Sequence, residues 1–466
     1  MSKSHCNRLD ISEAYDMSGL ESSGYHGIVL KKLQQAKTRV GDTIRVVTDS
    51  RDVTGILMPR AQIGSDPKHI VVKLDSGYNM GIKIDEDAAI QRIKAAKKTR
   101  RRAEVELKTK KDLPTVSILS TGGTIASKVD YQTGAVNPAL SAQDLHDSVP
   151  ELGEHANVRA RVIMSRLSEN IYPSDWSKIT RAVAKEIRSG TDGVVIAHGT
   201  DTLAFTAAAL SFSLQSLPVP VVLVGSQRSS DRPSSDAALN LTAAIDLAGN
   251  TDAAEVMIVM HGQTDDKHLL AHRGTRARKC HSSRRDAFRS INSSPLYRIE
   301  PPQITELTSP LSRRDKKRKL RVKPRFEEKV ALLKTYPGIQ PDLIKNIIST
   351  GHKGLILEGS GLGHTPKTLY PAIQSATDEG LIVGMTSQCV WGRVNMDVYR
   401  SGVELLEMGV IPLEDMLAET ALVKLMWLLA NYKSTERVRE LMTLPQVGEI
   451  EMRTEMHHYP SPQGGI

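Results

Sequence analysis

The most restrictive feature of the sequence is an alternation that begins near Val116. Short apolar runs (VSIL, VRARVIM, GVVIAH, VPVVLVG, EVMIVM) are separated by stretches with helical spacing. Runs this rich in Val and Ile suit strands buried on both faces, and strands alternating with helices suit a parallel sheet covered on both sides. After Pro173, Trp176, Ile179, Val183 and Ile187 fall at i, i+3, i+7 and i+11, which predicts a helix with one face packed on that sheet. The alternation resumes in KVALLKTYP, GLILEG and LIVGMT, so a second, smaller α/β domain is expected over 328–432.

At 466 residues the chain is too long for one average domain. Residues 1–24 are polar and read as a flexible arm. Over 25–93 the runs TIRVV, TGILM, HIVVKL and MGIKI, punctuated by Asp49-Ser50 and Asp75-Ser76-Gly77, read as a small β-barrel. Residues 94–113 are a basic stretch closed by Pro114 and read as a linker, either solvated or in contact with RNA. The main α/β domain is expected over 114–300, a basic insertion or linker over 301–327, and a helical then irregular tail over 433–466.

The formal charge of +9 and sequence pI of about 9.2 fit a polyanionic neighbour such as RNA. Aromatic residues make up only 4%, which supplies few stacking platforms and argues that a partner does the reading of any RNA. Cys6, Cys280 and Cys389 lie far apart, so neither a disulfide framework nor a zinc site is expected. There is no apolar run of membrane-spanning length and no signal-peptide core at the start, and a cytoplasmic location is expected.

Two loops carry candidate chemistry. The first strand runs into STGGTIAS (120–127), where glycines allow a sharp turn that presents Thr124 at the strand's carboxyl end. Taken alone, the same pattern is also a turn whose threonine caps the next segment. GVVIAH runs into HGTDT, which puts Thr200 and Asp201 at a corresponding edge. A threonine hydroxyl needs a neighbouring base or cation to act as a nucleophile, and Lys279 in RGTRARKCH can supply it, or be one more surface cation. His198 is either a general base or a hydrogen-bonded structural histidine. His261, His268, His272 and His281 show no zinc-protease spacing, and no metal is required. GSGLG (359–363) reads as a strand-to-helix turn rather than a nucleotide loop.

TGGTIAS at 121–127, HGTDT at 198–202, VGSQR at 224–228 and Lys279 occur in the order found in type I/II asparaginases, and the resemblance spans about 114–432. It implies a doubly wound N-terminal domain, a smaller C-terminal one, active sites completed between subunits, and amide hydrolysis through an acyl-enzyme. By the same resemblance Thr124 is the primary nucleophile, Tyr131 sits on the loop behind it, and Thr200, Asp201 and Lys279 form a second hydroxyl relay. Ser168 and Glu169 match the loop that grips the substrate's α-carboxylate and α-amino groups. Which threonine attacks stays open.

A free asparaginase does not need the first 110 or so residues. Together with the segment 273–292 and the basic insertion after Pro301, they make the whole chain resemble the amidase (D) subunits of archaeal tRNA-dependent amidotransferases. That resemblance implies glutamine as amide donor, or asparagine. It also implies an E subunit that holds ATP and Mg²⁺ and contacts tRNA, no cofactor in this chain, and a homodimer within a heterotetramer. The competing readings are a free cytoplasmic asparaginase and a non-catalytic RNA-binding or docking scaffold.

Overall fold

The computed structural model describes residues 25–58, 68–74, 79–95, 110–122, 127–129, 136–138, 152–228 and 235–459. The expected arm, most of the basic linker and the terminal residues lie outside them. The chain divides into two compact units, one of residues 1–105 together with 128–137 and 231–234, the other of 106–127, 138–230 and 235–466.

In the N-terminal unit, helix α1 (Gly27–Gln35) precedes β1 (Thr43–Thr48), β2 (Arg51–Leu57), β3 (His69–Lys73), β4 (Asn79–Lys83) and β5 (Ala89–Lys94). The sheet is antiparallel, in the order β4-β3-β2-β1-β5. Among the described residues no pairing of β4 with β5 closes it into a barrel. Alternate residues Ile44, Val46, Ile70, Val72, Ile82 and Ile84 form one buried face, covered by Val29 and Leu33 of α1. Tyr25 ties the unit together: its hydroxyl donates to Met58 O at 2.5 Å and accepts from Val71 N at 3.1 Å. AIQRIK, rich in helix formers, is an edge strand because it pairs with β1.

The main unit holds an eight-stranded sheet. Strands β6 (Thr115–Ser120), β9 (Asn157–Val162), β10 (Gly193–Ala197), β12 (Val221–Val224) and β13 (Val256–His261) are parallel. Strands β14 (Leu269–Arg273), β17 (Tyr297–Glu300) and β18 (Gln303–Glu306) extend it antiparallel, giving the order β18-β17-β14-β13-β12-β10-β6-β9. In sequence between β6 and β9, β7 (Ser127–Val129) pairs with β8 (Val136–Pro138) in a separate two-stranded sheet, most of which is grouped with the first unit. The period of two along each strand separates two cores. Val116, Ile118, Val195, Val222 and Val224 pack with Leu241 and Ile245, while Leu119, Val194, Ile196, Val221 and Leu223 pack with Ile179, Val183 and Leu210. The helices concerned are α2 (Pro173–Arg188), α3 (Leu203–Ser213) and α4 (Ala237–Asn250), so the sheet is covered on both faces. Because the chain leaves β6 for β9 on one side and returns to β10 on the other, the winding reverses between β6 and β10. A crevice at the carboxyl ends of those strands is where an open α/β sheet binds its ligand.

The basic segment is fastened down. Arg314 donates to the carbonyls of Ala248, Gly249 and Thr251 at the end of α4, the end of a helix where unpaired carbonyls welcome a cation. Short β19 (Arg321–Val322) pairs with β11 (Leu214–Gln215), and Arg318 reaches Leu217 O at 2.7 Å. The charge run is thus a strap whose guanidinium groups satisfy backbone carbonyls.

The smaller domain is a parallel sheet, β20 (Val330–Lys334), β21 (Gly354–Gly359), β22 (Ile382–Ser387) and β23 (Ile411–Pro412), with α5 (Asp342–Ser349), α6 (Tyr370–Asp378), α7 (Arg400–Glu407) and α8 (Ala418–Asn431). Helix α8 packs on α3, with Phe212 and Trp427 stacked at 5.8 Å, so the two α/β domains share a core. The tail also contributes: α9 (Thr435–Thr443) buries Val438, Leu441 and Met442. Among the described residues no helix is long and apolar enough to cross a membrane.

Candidate active site

The loops that leave the carboxyl ends of β6, β9, β10 and β12 meet closely enough to require glycine. Gly122 has φ +110°, and a Cβ there would sit 2.4 Å from Arg166 O. A Cβ on Gly199 would sit 2.8 Å from the Ser168 side chain, and one on Gly225 would sit 2.7 Å from Cγ2 of Thr200. Hydrogen bonds fix the same junction: Thr121 N and Oγ1 both donate to Ala197 O, Arg166 N donates to Thr121 O at 3.0 Å, and Thr202 Oγ1 donates to Ser168 O at 2.7 Å. The VGSQR loop is held by buried Asp236, which accepts from Gln227 N, Arg228 N and Asn240 Nδ2.

Lys279 approaches this junction from β15 (Ala277–Lys279), which pairs with β16 (Phe288–Ser290). Its Nζ donates to Thr200 Oγ1 at 2.9 Å and to Asp201 Oδ1 at 2.6 Å. The Lys279 side chain is 14% exposed and that of Asp201 63%, so the pair faces an open crevice. The expected trio is therefore brought together. Ser168 is buried on the adjoining loop, and Glu169 beside it is exposed. Thr124 and Tyr131 lie outside the described residues.

His198, two residues before Thr200, is fully buried. Trp176 Nε1 donates to Thr206 Oγ1 at 3.2 Å, leaving that hydroxyl to donate to His198 Nε2 at 2.9 Å, while His198 Nδ1 donates to Gly199 O at 2.6 Å. Burial depresses its pKa to about 4, against the opposing effect of the Gly199 carbonyl. With both ring nitrogens committed, His198 acts as a structural brace for the loop.

Thr202, Gly199 and Gly225 position the site without having been singled out from the sequence. The first two lie in HGTDT and the third in VGSQR, where glycine is the signal of close backbone approach. Among the described residues, Glu455, His457 and His458 bring possible metal-ligand atoms within 4.8 Å of one another, on one largely exposed turn that shares no residue with the Thr200 loop. A cavity of about 690 Å³, lined by Asp112, Pro114, His155, Asp246, Asp252 and Glu306, opens at the amino ends of the strands. Volume therefore does not mark the site; the convergence of loops at the carboxyl ends does.

Comparison with known proteins agrees with the two-domain α/β fold. Residues 115–311 match the family model described as Asparaginase, N-terminal, residues 329–442 the Glutaminase/Asparaginase C-terminal domain, and residues 38–93 the GatD N-terminal domain. Among solved structures, the thermostable L-asparaginase from Thermococcus kodakarensis is 33% identical with a TM-score of 0.66, covering 73% of this chain and 100% of that one. L-asparaginase I from Vibrio cholerae is 31% identical with a TM-score of 0.63 and the same coverage. Over greater length, the chain is 49% identical to the D subunit of glutamyl-tRNA(Gln) amidotransferase from Pyrococcus furiosus, covering 91% of this chain and 97% of that protein. It is 47% identical to the corresponding D subunit from Methanothermobacter thermautotrophicus, covering 93% and 99%. An asparaginase-type body and the N-terminal unit occur together in these relatives as they do here, and the chain belongs to the family of glutamyl-tRNA(Gln) amidotransferase D subunits.

Proposed function

We propose that this chain is the glutamine-hydrolysing amidase subunit of a tRNA-dependent amidotransferase, and that the ammonia it releases converts Glu-tRNA(Gln) to Gln-tRNA(Gln) on a partner E subunit. The observation that carries this reading is the extent of similarity: it runs through 97% of the Pyrococcus furiosus protein, N-terminal unit included, whereas the asparaginase structures cover 73% of the chain.

The chemistry follows from a threonine hydroxyl adding to the side-chain amide carbon of glutamine. Thr124 is the primary nucleophile, on the resemblance of TGGTIAS to the asparaginase turn. Thr200, Asp201 and Lys279 form the relay through which a hydroxyl proton leaves and reaches the departing amine. Backbone N–H groups of the glycine turn stabilise the oxyanion. The C–N bond breaks, ammonia leaves, and water cleaves the resulting ester to give glutamate and restore the threonine. Ser168, Glu169 and Asp201 grip the α-carboxylate and α-ammonium, and Tyr131 is a further substrate-binding residue on the resemblance to asparaginases. ATP and Mg²⁺ belong to the E subunit, which also makes the main tRNA contacts, and this chain forms a homodimer within a heterotetramer.

The test is to copurify the chain with a candidate E subunit and follow Gln-tRNA formation from Glu-tRNA and free glutamine. Amidation by the complex, lost in Thr124→Ala, supports the reading. Strong amide hydrolysis by the isolated chain, unaffected by partner or Glu-tRNA, would identify a free asparaginase. Full amidation by the Thr124→Ala complex would identify a scaffold.

A further inference from the structure

Lys279 stands on a hairpin whose two strands are both gripped at the base by the smaller domain. Arg276, which immediately precedes β15, is fully buried. Its Nη1 donates to Asp415 Oδ2 at 3.1 Å and to Asp415 O at 3.2 Å, and its Nε donates to Gly448 O at 2.8 Å. Asn292, which follows β16, donates from Nδ2 to Gly392 O at 2.9 Å and to Asp415 O at 3.1 Å, and accepts from Gly392 N at 2.9 Å. Asp415 lies between β23 and α8, and its carboxylate also accepts from Glu451 N in the tail at 3.0 Å. The strands close on each other through Ile291 N to Arg276 O at 2.8 Å and through Lys279 paired with Phe288. A second tie runs from Thr420 Oγ1 on α8 to Thr275 O at 2.9 Å.

We infer that Asp415, Arg276 and Asn292 form a clamp by which the smaller domain and tail set the position of Lys279 against Thr200; the inference rests on the role proposed for Lys279. These residues act on the reaction through another group, so they are positioning residues. A buried pair at both ends of a short hairpin is stiff, whereas the tip of the same hairpin is exposed: Cys280 to Arg284 are open to solvent. Without the clamp, Lys279 would be placed by its two contacts in the site, by Ala277 and Phe288 in the sheet's core, by the Thr420 tie and by the Arg278–Glu419 pair at 3.2 Å, none of which fixes both strands at the hairpin's base. A displacement near 1 Å is enough to reduce turnover about 100-fold.

Removing one member of a buried ion pair threatens folding, so the measurement centres on Asn292→Gly. This variant tolerates the left-handed backbone of Asn292 (φ 56°) while deleting the amide that reaches Gly392 and Asp415. Glutamine and asparagine hydrolysis by the full chain, with its partner where activity requires it, is measured for Asn292→Gly, Lys279→Ala and the combination, together with thermal unfolding. The expected result is a fall of about 10- to 100-fold in kcat with KM changed less than about threefold at a retained Tm, and no further loss when Asn292→Gly is added to Lys279→Ala. Asp415→Asn, which keeps the shape but loses the charge, should show the same kcat loss wherever it folds. Wild-type kcat in Asn292→Gly, or a loss that adds to that of Lys279→Ala, overturns the clamp. Near-wild-type turnover in Lys279→Ala instead overturns the catalytic role on which it rests, so the two failures are distinguishable.

Discussion

Two lysines in this chain hold a carboxylate at 2.6 Å, in opposite surroundings. Lys279 meets Asp201 in an open crevice, 14% and 63% exposed, and Lys424 meets Glu449 with both side chains at 0%. The open pair leaves Asp201 able to face a substrate and spends one Lys279 donor on the Thr200 hydroxyl. The buried pair has no such freedom. Lys424 also donates to Met442 O at 3.1 Å and Leu444 O at 2.8 Å, while Glu449 accepts from Gln446 N and Val447 N. Burial pulls the Lys424 ammonium below its ordinary range, and Glu449 pulls it back. The distance alone distinguishes nothing; solvent access and the identity of the remaining partners separate a pair that can do chemistry from one that pins a tail to α8.

The comparison breaks most sharply at Lys279. Lys279→Ala should lower amide hydrolysis by about 10²- to 10⁴-fold, the range for losing a positioned proton-transfer group, with Tm shifted little because the Asp201 carboxylate left behind is 63% exposed and stays solvated. Lys279→Arg should be nearly as inactive, since a guanidinium stays charged and cannot accept a proton. Steady-state turnover beside a thermal melt reads both, and an active Lys279→Arg would show that a fixed positive charge suffices.

Lys424 should give the reverse pattern. Lys424→Met leaves the Glu449 carboxylate buried and unpaired, and stability should fall by about 3–5 kcal/mol in denaturant unfolding. Turnover per folded molecule should hold at low temperature. Adding Glu449→Gln removes the stranded charge while keeping an oxygen for the Gln446 and Val447 N–H groups, and should recover most of the loss. A double variant no more stable than Lys424→Met would mean that the tail is held by something other than charge balance.

The sequence made one side of this comparison legible and hid the other. Thr200, Asp201 and Lys279 could be named because motif order placed them together, and the two-faced sheet could be read because Val and Ile runs alternate with helical spacing. The covered α/β arrangement is found, and it is extended by the antiparallel strands β14, β17 and β18. Those strands carry no pattern that sets their direction, since periodicity reports burial and says nothing of orientation. The strap around Arg314 was hidden because a charge run looks solvated until helix-end carbonyls are found beneath it. The buried pairs Arg276–Asp415 and Lys424–Glu449 were hidden for the same reason: charged residues far apart in sequence do not announce that they will be buried together. Thr124 and Tyr131 lie outside the described residues, so the roles proposed for them rest on motif resemblance.

A smaller effect sharpens the contrast within a single turn. His198 and Thr200 are two residues apart, one enclosed and the other facing the crevice. An unfolded histidine takes up its proton near pH 6.5, whereas burial holds His198 unprotonated to about pH 4. Between those values the unfolded chain binds more protons at this position than the folded one, so stability falls as pH falls through that window. At pH 5 this histidine should account for about 2 kcal/mol of lost stability relative to neutral pH. Carboxylates and His272, which burial holds down to about 3, add their own slopes, so the measurement is the difference between the wild type and His198→Gln. Glutamine can still bond Thr206 and the Gly199 carbonyl and carries no titrating proton, so its unfolding free energy should vary less between pH 7 and pH 5 by that amount. Its amide hydrolysis should stay within about tenfold of wild type, because the brace survives. If the pH slope is unchanged and turnover is abolished, His198 is the general base, and the division between an enclosed brace and an open relay fails at its closest point.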